Sequence, residues 1–191
     1  EPIGDYNFPF TAIFDGNGYQ ILNLYIHNPT TSYIGLFGYV KEQTAALVNL
    51  GLTGKLMSVT GFSAVGGLVG RLEASSSLMN VFSTGPISGR SNSVGGLVGY
   101  SISSTIMNAF SLGAVEGNAY VGGLVGLLSS GNSVTNTFTT GTVNGSANTG
   151  SLIGAVSKSS INNSFSSSLV TSDDMNSYGL VGLLVSGEFF N

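Results

Sequence analysis

The sequence predicts an all-β fold: a right-handed parallel β-solenoid of about six coils, each of about 28 residues with three strands. Three observations predict it. A glycine-rich hexapeptide recurs along the chain, and an asparagine follows each copy at a near-constant distance. Charge is almost absent from a chain of ordinary hydrophobicity, at 7% charged and 42% hydrophobic residues.

The hexapeptide Val-Gly-Gly-Leu-Val-Gly stands letter for letter at 65–70, 94–99 and 121–126, with looser copies at Tyr33–Gly38, Gly150–Gly154 and Tyr178–Gly182. Its last glycines are Gly38, Gly70, Gly99, Gly126, Gly154 and Gly182, at steps of 32, 29, 27, 28 and 28 residues. That period falls in the range of solenoids and repeat arrays. Nine to eleven residues after each of the first five comes Asn49, Asn80, Asn108, Asn136 or Asn163. Asn23 supplies the same mark for an earlier, incomplete unit.

Alignment on these asparagines exposes columns. Two residues before them stand Ile21, Leu47, Leu78, Ile106, Val134 and Ile161, and two after stand Tyr25, Gly51, Phe82, Phe110, Phe138 and Phe165. Seven after come Leu56, Ile87, Val115, Val143 and Val170. Gly54, Gly85, Gly113 and Gly141 stand five after, and Ser168 breaks that series.

Helix does not fit these units. Apolar letters alternate at period two over short stretches, and each interior glycine would cost a helix about 1 kcal/mol. Short strands separated by Gly, Ser and Asn corners close a coil instead, and coils stacked at about 4.8 Å bring each residue onto its own copy. Glycine then recurs where a corner is tight or where two backbones approach. Leu and Val between the glycines recur as core plugs. The asparagine column serves the scaffold, either as left-handed corners with stacked amides or as a partly buried, self-satisfying ladder.

Composition excludes several partners. Five basic against nine acidic residues give a net charge of −4 without any row of Lys or Arg, which nucleic acid requires. An anionic membrane surface is disfavoured for the same reason, and no apolar run of about 18 residues is present to insert in a bilayer. Cysteine is absent, which removes disulfides, thiolate metal sites and thiol nucleophiles. The neutral, hydroxyl- and amide-rich surface suggests an extracellular or cell-surface bacterial protein. The chain begins at Glu1 without an initiator Met or leader, and "VSGEFFN" at Val185–Asn191 stops half a coil after the last repeat. The expectation is one solenoid domain over 1–191, a piece of a longer protein, with an opening coil at 1–32 and repeats at 33–191. Flanking coils, further domains or a partner chain would cover its ends, and Asp173-Asp174 would act as an edge charge or loop.

Candidate chemistry is sparse. His27 is the single histidine, no Gly-x-Ser-x-Gly elbow accompanies it, and it is expected to face solvent on the strand after Tyr25. Asp15–Gly18 ("DGNG") lacks the alternate oxygen ligands and closing Glu of a calcium loop, and reads as a tight turn with Asn17 and Gly18 left-handed. Glu42 and Glu73 each precede their column asparagine by seven residues, so they could stack about 5 Å apart as a glycosidase pair does. Lys41 and Arg71 stand close enough to make them a salt-linked edge instead. Ser83, Ser111 and Thr139 head a hydroxyl column with Leu52 and Ser166; Thr53, Thr84, Leu112, Thr140 and Ser167 follow one residue later. Such a strip is a solvated face or a surface for glycans or ice. No cofactor or metal is expected.

"GLFG" at Gly35–Gly38 and "GLVG" ending at Gly70, Gly99, Gly126 and Gly182 resemble the GLUG-repeat β-helices of bacterial surface proteins. "NVFSTG" from Asn80, "NAFSLG" from Asn108, "NTFTTG" from Asn136 and the opening stretch Pro9–Ile26 fit the same family. The resemblance implies the solenoid, an extracellular address and an adhesin-like association. GLUG units also precede IgA-cleaving zinc peptidases, but the His-Glu-x-x-His helix is missing here, so that activity does not carry over. The functional expectation is a non-catalytic module serving as adhesin, stalk or display scaffold, a rod about 30 Å long. A host or environmental glycan or protein would be its partner. The alternative is a carbohydrate-binding or polysaccharide-cleaving β-helix with Glu42 and Glu73 in its groove.

Overall fold

A computed structural model describes residues 1–173 and 179–190, the last four by backbone alone. Tyr178, Asp174 and Asn191, singled out in the sequence, lie outside the described residues. The described chain is all β, its strands paired in parallel and wound into a solenoid of about six turns with three sheets.

One side of the coil stacks Phe37–Lys41, Val69–Glu73, Val98–Ile102 and Val125–Ser129. The next stacks Ala46–Thr53, Ser77–Ser83, Thr105–Ser111 and Ser133–Thr139. The long strand Ile153–Asn162 joins both sides into one 13-stranded sheet. A six-stranded sheet runs from Tyr25–His27 to Leu169–Ser172, and a four-stranded sheet from Val65–Gly66 to Ala147–Gly150.

The registers are those of stacked copies. Ile87 pairs with Val115, Val115 with Val143, and Val143 with Val170. Leu78, Ile106, Val134 and Ile161 form an interior column, and Leu68, Leu97, Leu124 and Leu152 another, each at most 3% exposed. Full burial of each such side chain stabilises the fold by about 1.5–3 kcal/mol. The plugs between the glycines are therefore core, as the repeat predicts.

Left-handed corners recur at three places in the coil. The first is the asparagine column, with φ between 45° and 56° from Asn49 to Asn163. The second is Tyr33, Ala64, Ser93, Tyr120 and Asn148, at φ 50–63°. The third is Ala74 and Ser75, then Ser103, Ser130 and Lys158, at φ 47–63°. An L-residue pays roughly 1–2 kcal/mol for this region, and asparagine pays least. At the second and third corners, Asn148 apart, the coil imposes the bend on residues that do not favour it.

The glycine column answers to close approach. None of Gly38, Gly70, Gly99, Gly126, Gly154 or Gly182 has positive φ. A Cβ on Gly99 would land on the backbone of Ala64 and Val65, and one on Gly126 on that of Ser93 and Val94. The strand therefore passes under the second corner of the preceding coil with no room for a methyl group.

The first two units differ from expectation. Val59, not Leu56, precedes Ile87 in its column, and Leu56 is 73% exposed. Residues 54–57 form an added turn, closed by Met57 N–H to the Gly54 carbonyl at 3.1 Å, which shifts the register of that unit. In the opening coil Phe14 pairs with Leu47, so Ile21 falls opposite Leu52. Asn23 consequently leaves the ladder; it stays left-handed at φ 58° and accepts the Leu56 N–H instead.

Candidate functional site

The asparagine ladder is continuous from Asn163 to Asp15. Each Nδ2 donates to the Oδ1 one coil below, Asn163 to Asn136, Asn136 to Asn108, Asn108 to Asn80 and Asn80 to Asn49, at 2.5–3.1 Å. Asn49 then donates to Asp15 Oδ1 at 3.0 Å. The same carboxylate receives the Asn17 N–H at 2.8 Å, closing the turn in which Asn17 and Gly18 are left-handed. These bonds, the Asn17 amide first and Asn49 second, hold Asp15 below its ordinary pKa.

The left-handed asparagine also decides which side chains point inward. In Ser77–Ser83, Leu78 is buried, the bend at Asn80 advances the alternation by one, and Val81 and Ser83 are buried next. Phe82 is thereby turned outward. Ser83, Ser111 and Thr139, expected on the surface, are each 0% exposed. They pack against the middle glycines of the hexapeptide, where a Cβ on Gly67 or Gly96 would strike the hydroxyl of Ser83 or Ser111. Thr139 donates to the Ser151 carbonyl at 2.8 Å, whereas the hydroxyls of Ser83 and Ser111 have no partner. The outward position belongs to the following residues, where Thr84 donates to Thr53 at 3.1 Å.

Phe82, Phe110, Phe138 and Phe165 form a half-exposed stack on this face, with successive centroids 4.7, 4.8 and 5.4 Å apart. His27 is exposed on its strand, its ring stacked on Tyr25 at 6.4 Å.

The charged residues gather on the neighbouring side. Tyr39, Arg71 and Tyr100 occupy one column, each directly after a column glycine. The Arg71 guanidinium lies 5.2 Å from the Tyr39 ring, 5.4 Å from Tyr100 and 5.7 Å from Tyr33. It grips Glu73 Oε2 through two nitrogens at 2.9 and 3.1 Å. The Tyr39 hydroxyl donates to the same oxygen. Burial pushes Glu73 up, but the Tyr39 hydroxyl and the charges of Arg71 and Lys41 outweigh it and hold its pKa low. Burial, then Glu73, drive the Tyr39 phenol far above its ordinary value.

Glu42 does not join Glu73. The rung partner of Glu73 is Lys41, whose ammonium is 4.0 Å from Oε1; Glu42 falls one residue beyond the pairing and is exposed. The stacked carboxylate pair is thus replaced by the salt-linked edge. Counting back from the asparagines misled because Asn49 and Asn80 stand 31 residues apart while Lys41 and Glu73 stand 32 apart. The tyrosines carried a legible signal, since Tyr39, Arg71 and Tyr100 follow Gly38, Gly70 and Gly99. Tyr6, which stacks on this cluster, belongs to no repeat.

Among the described residues no group of three or more His, Asp or Glu is arranged to hold a metal ion. No helix among them is long and apolar enough to cross a membrane.

No family model matches the chain, and no solved structure does. The chain is similar to a Gly-rich membrane protein of Evansella cellulosilytica, 44% identical over 71 residues, which is 37% of this chain and 8% of that protein. It is also similar to a halomucin of Haloquadratum walsbyi, 39% identical over 102 residues, or 52% of this chain and 1% of that protein. The chain therefore spans less than a tenth of either relative.

Proposed function

We propose that this solenoid is a non-catalytic module of a cell-surface protein of the GLUG-repeat kind, serving as stalk, display scaffold or adhesin. The observation that carries the reading is the unbroken ladder from Asp15 to Asn163, flanked by stacked phenylalanines. Each coil along the ladder bonds to the next through backbone and amide, and from Phe82 to Phe165 through stacked rings as well. Such a body resists bending and holds its ends at a set distance, which is what a spacer needs. The names of the two relatives, a membrane protein and a halomucin, support an address at the cell envelope.

Glu73 supports a structural role for the charged side: Arg71 and Tyr39 already engage its carboxylate and keep it ionised, unlike a general acid. Two measurements test the reading. Antibody against this segment should label intact cells of the source organism, and an absence of label would overturn the surface assignment. The purified chain should release no reducing ends from a polysaccharide panel. Turnover abolished by Glu42→Gln or Glu73→Gln would overturn the non-catalytic reading.

A further inference from the structure

The columns of this solenoid are interrupted beside its charged cluster. Ile3 bridges Phe37 and Phe10 bridges Val40, so three steps on one strand face seven on the other and four residues, 5–8, loop out. Asp5 ties the loop, accepting the N–H groups of Asn7 and Phe8 at 2.8 Å while its own N–H bonds the Phe8 carbonyl at 3.0 Å. Nothing in the coil geometry requires this insertion. It carries two exposed aromatics, Tyr6 at 63% and Phe8 at 78%. The Tyr6 ring lies over Tyr39 and Tyr33 at 6.0 and 6.2 Å, nearly parallel to both.

Beneath the loop is a cavity of about 460 Å³ lined by Tyr6, Pro9, Tyr39, Lys41, Arg71 and Glu73. Its polar groups are of two kinds. Glu73 Oε2 is fully engaged by Arg71 and Tyr39. Glu73 Oε1 has only the Lys41 ammonium, at 4.0 Å, too far for a hydrogen bond. One acceptor, held in place by Arg71 and Tyr39, and one three-proton donor therefore stand side by side in the cavity wall.

We infer that this cleft is a carbohydrate subsite that takes a neutral pyranose, stacked on Tyr6 and holding two neighbouring hydroxyls against Glu73 Oε1 and Lys41 Nζ. A hydroxyl both donates and accepts, so an adjacent pair satisfies a carboxylate oxygen and an ammonium at once. The apolar face of the ring suits a tyrosine whose two χ angles are already fixed by stacking. The volume suits one or two sugar rings. A fully ionised anion fits worse, because it has no proton to offer the free oxygen of Glu73. The inference goes beyond the stalk reading and does not depend on it: loss of sugar binding would leave the solenoid a spacer.

The test titrates the intact chain with glucose, galactose, mannose and N-acetylglucosamine and their short oligomers, with glucuronic acid and inorganic phosphate as anionic probes. With no tryptophan and eight tyrosines, tyrosine fluorescence and NMR report on the cleft directly. At least one neutral sugar should bind with Kd of about a millimolar. Tyr6→Ala and Lys41→Ala, both at exposed side chains, should each weaken it at least tenfold with an unchanged melting temperature, and Tyr6→Phe should retain it. No neutral sugar bound, binding of the anionic probes alone, or binding indifferent to Tyr6→Ala and Lys41→Ala would each overturn the inference.

Discussion

The Phe110 ring lies flat on Phe82, with centroids 4.7 Å apart and planes inclined by 4°. The same ring meets Phe138 at 4.8 Å on its other face. Stacked aromatic pairs contribute about 0.5–1.5 kcal/mol each beyond burial. Phe110→Ala should therefore cost about 1–3 kcal/mol by denaturant melt, less than a fully buried phenylalanine, because this ladder is half in water. Phe165→Ala, at 61% exposure with one ring neighbour among the described residues, should cost less than Phe110→Ala. Equal losses at the two sites would contradict the ladder account.

Asn108 has two separable duties. Its backbone is left-handed at φ 53°, and its amide both donates to Asn80 and accepts from Asn136. Asn108→Gly keeps the bend and loses the ladder bonds, at about 1–2 kcal/mol. Asn108→Ala loses both and should cost about 1–2 kcal/mol more. Urea melts of the two variants separate the contributions.

Ser111 and Thr139 share a column but not a fate. The Ser111 hydroxyl is buried without a partner, so Ser111→Ala should be neutral or stabilising by up to about 1 kcal/mol. The Thr139 hydroxyl is bonded to the Ser151 carbonyl at 2.8 Å, so Thr139→Val should cost about 1–2 kcal/mol. Thermal melts showing the reverse order would refute this assignment.

Gly99 tests the close approach of corner and strand. A Cβ there would meet the backbone of Ala64 and Val65, which cannot rotate away. Gly99→Ala should cost about 3 kcal/mol or more, at or above the usual upper end for overpacking. Gly18, left-handed at φ 77° but with open space around it, should cost only about 1–2 kcal/mol as alanine.

Glu73 makes stability depend on acid. Its folded pKa is held below the ordinary value of 4.5, so its contribution is present above that value and is lost as pH falls through the depressed one. The melting temperature should be level above pH 5 with respect to this group and fall below about pH 4.5. Glu73→Gln should flatten that acid limb while lowering stability at pH 7 by about 1–3 kcal/mol, since Arg71 loses its charged partner. An unchanged acid limb in the variant would show that other carboxylates set it.

Repetition made the coil legible. A residue that must meet its own copy leaves a period, and Leu78, Ile106, Val134 and the glycines ending each hexapeptide wrote theirs in plain letters. The asparagines announced left-handed corners because that side chain is the cheapest non-glycine choice there. The other two corners left no such mark, since Ala64, Ser103 and Lys158 adopt positive φ only under the constraint of stacking.

What the sequence alone determined was thus the period, the parallel stack and most of the column members, those of the first two units excepted. Tertiary structure decided which way each column faces and which charges meet. Ser83 went inside and Phe82 outside because a single left-handed residue shifts the alternation that follows it. Lys41 met Glu73 because one extra residue between Lys41 and Asn49 displaced that coil's count against the next, and Tyr6 reached the cluster through a loop outside the repeat. Periodicity records contacts between copies, whereas contacts between unlike residues are fixed only once the chain has closed.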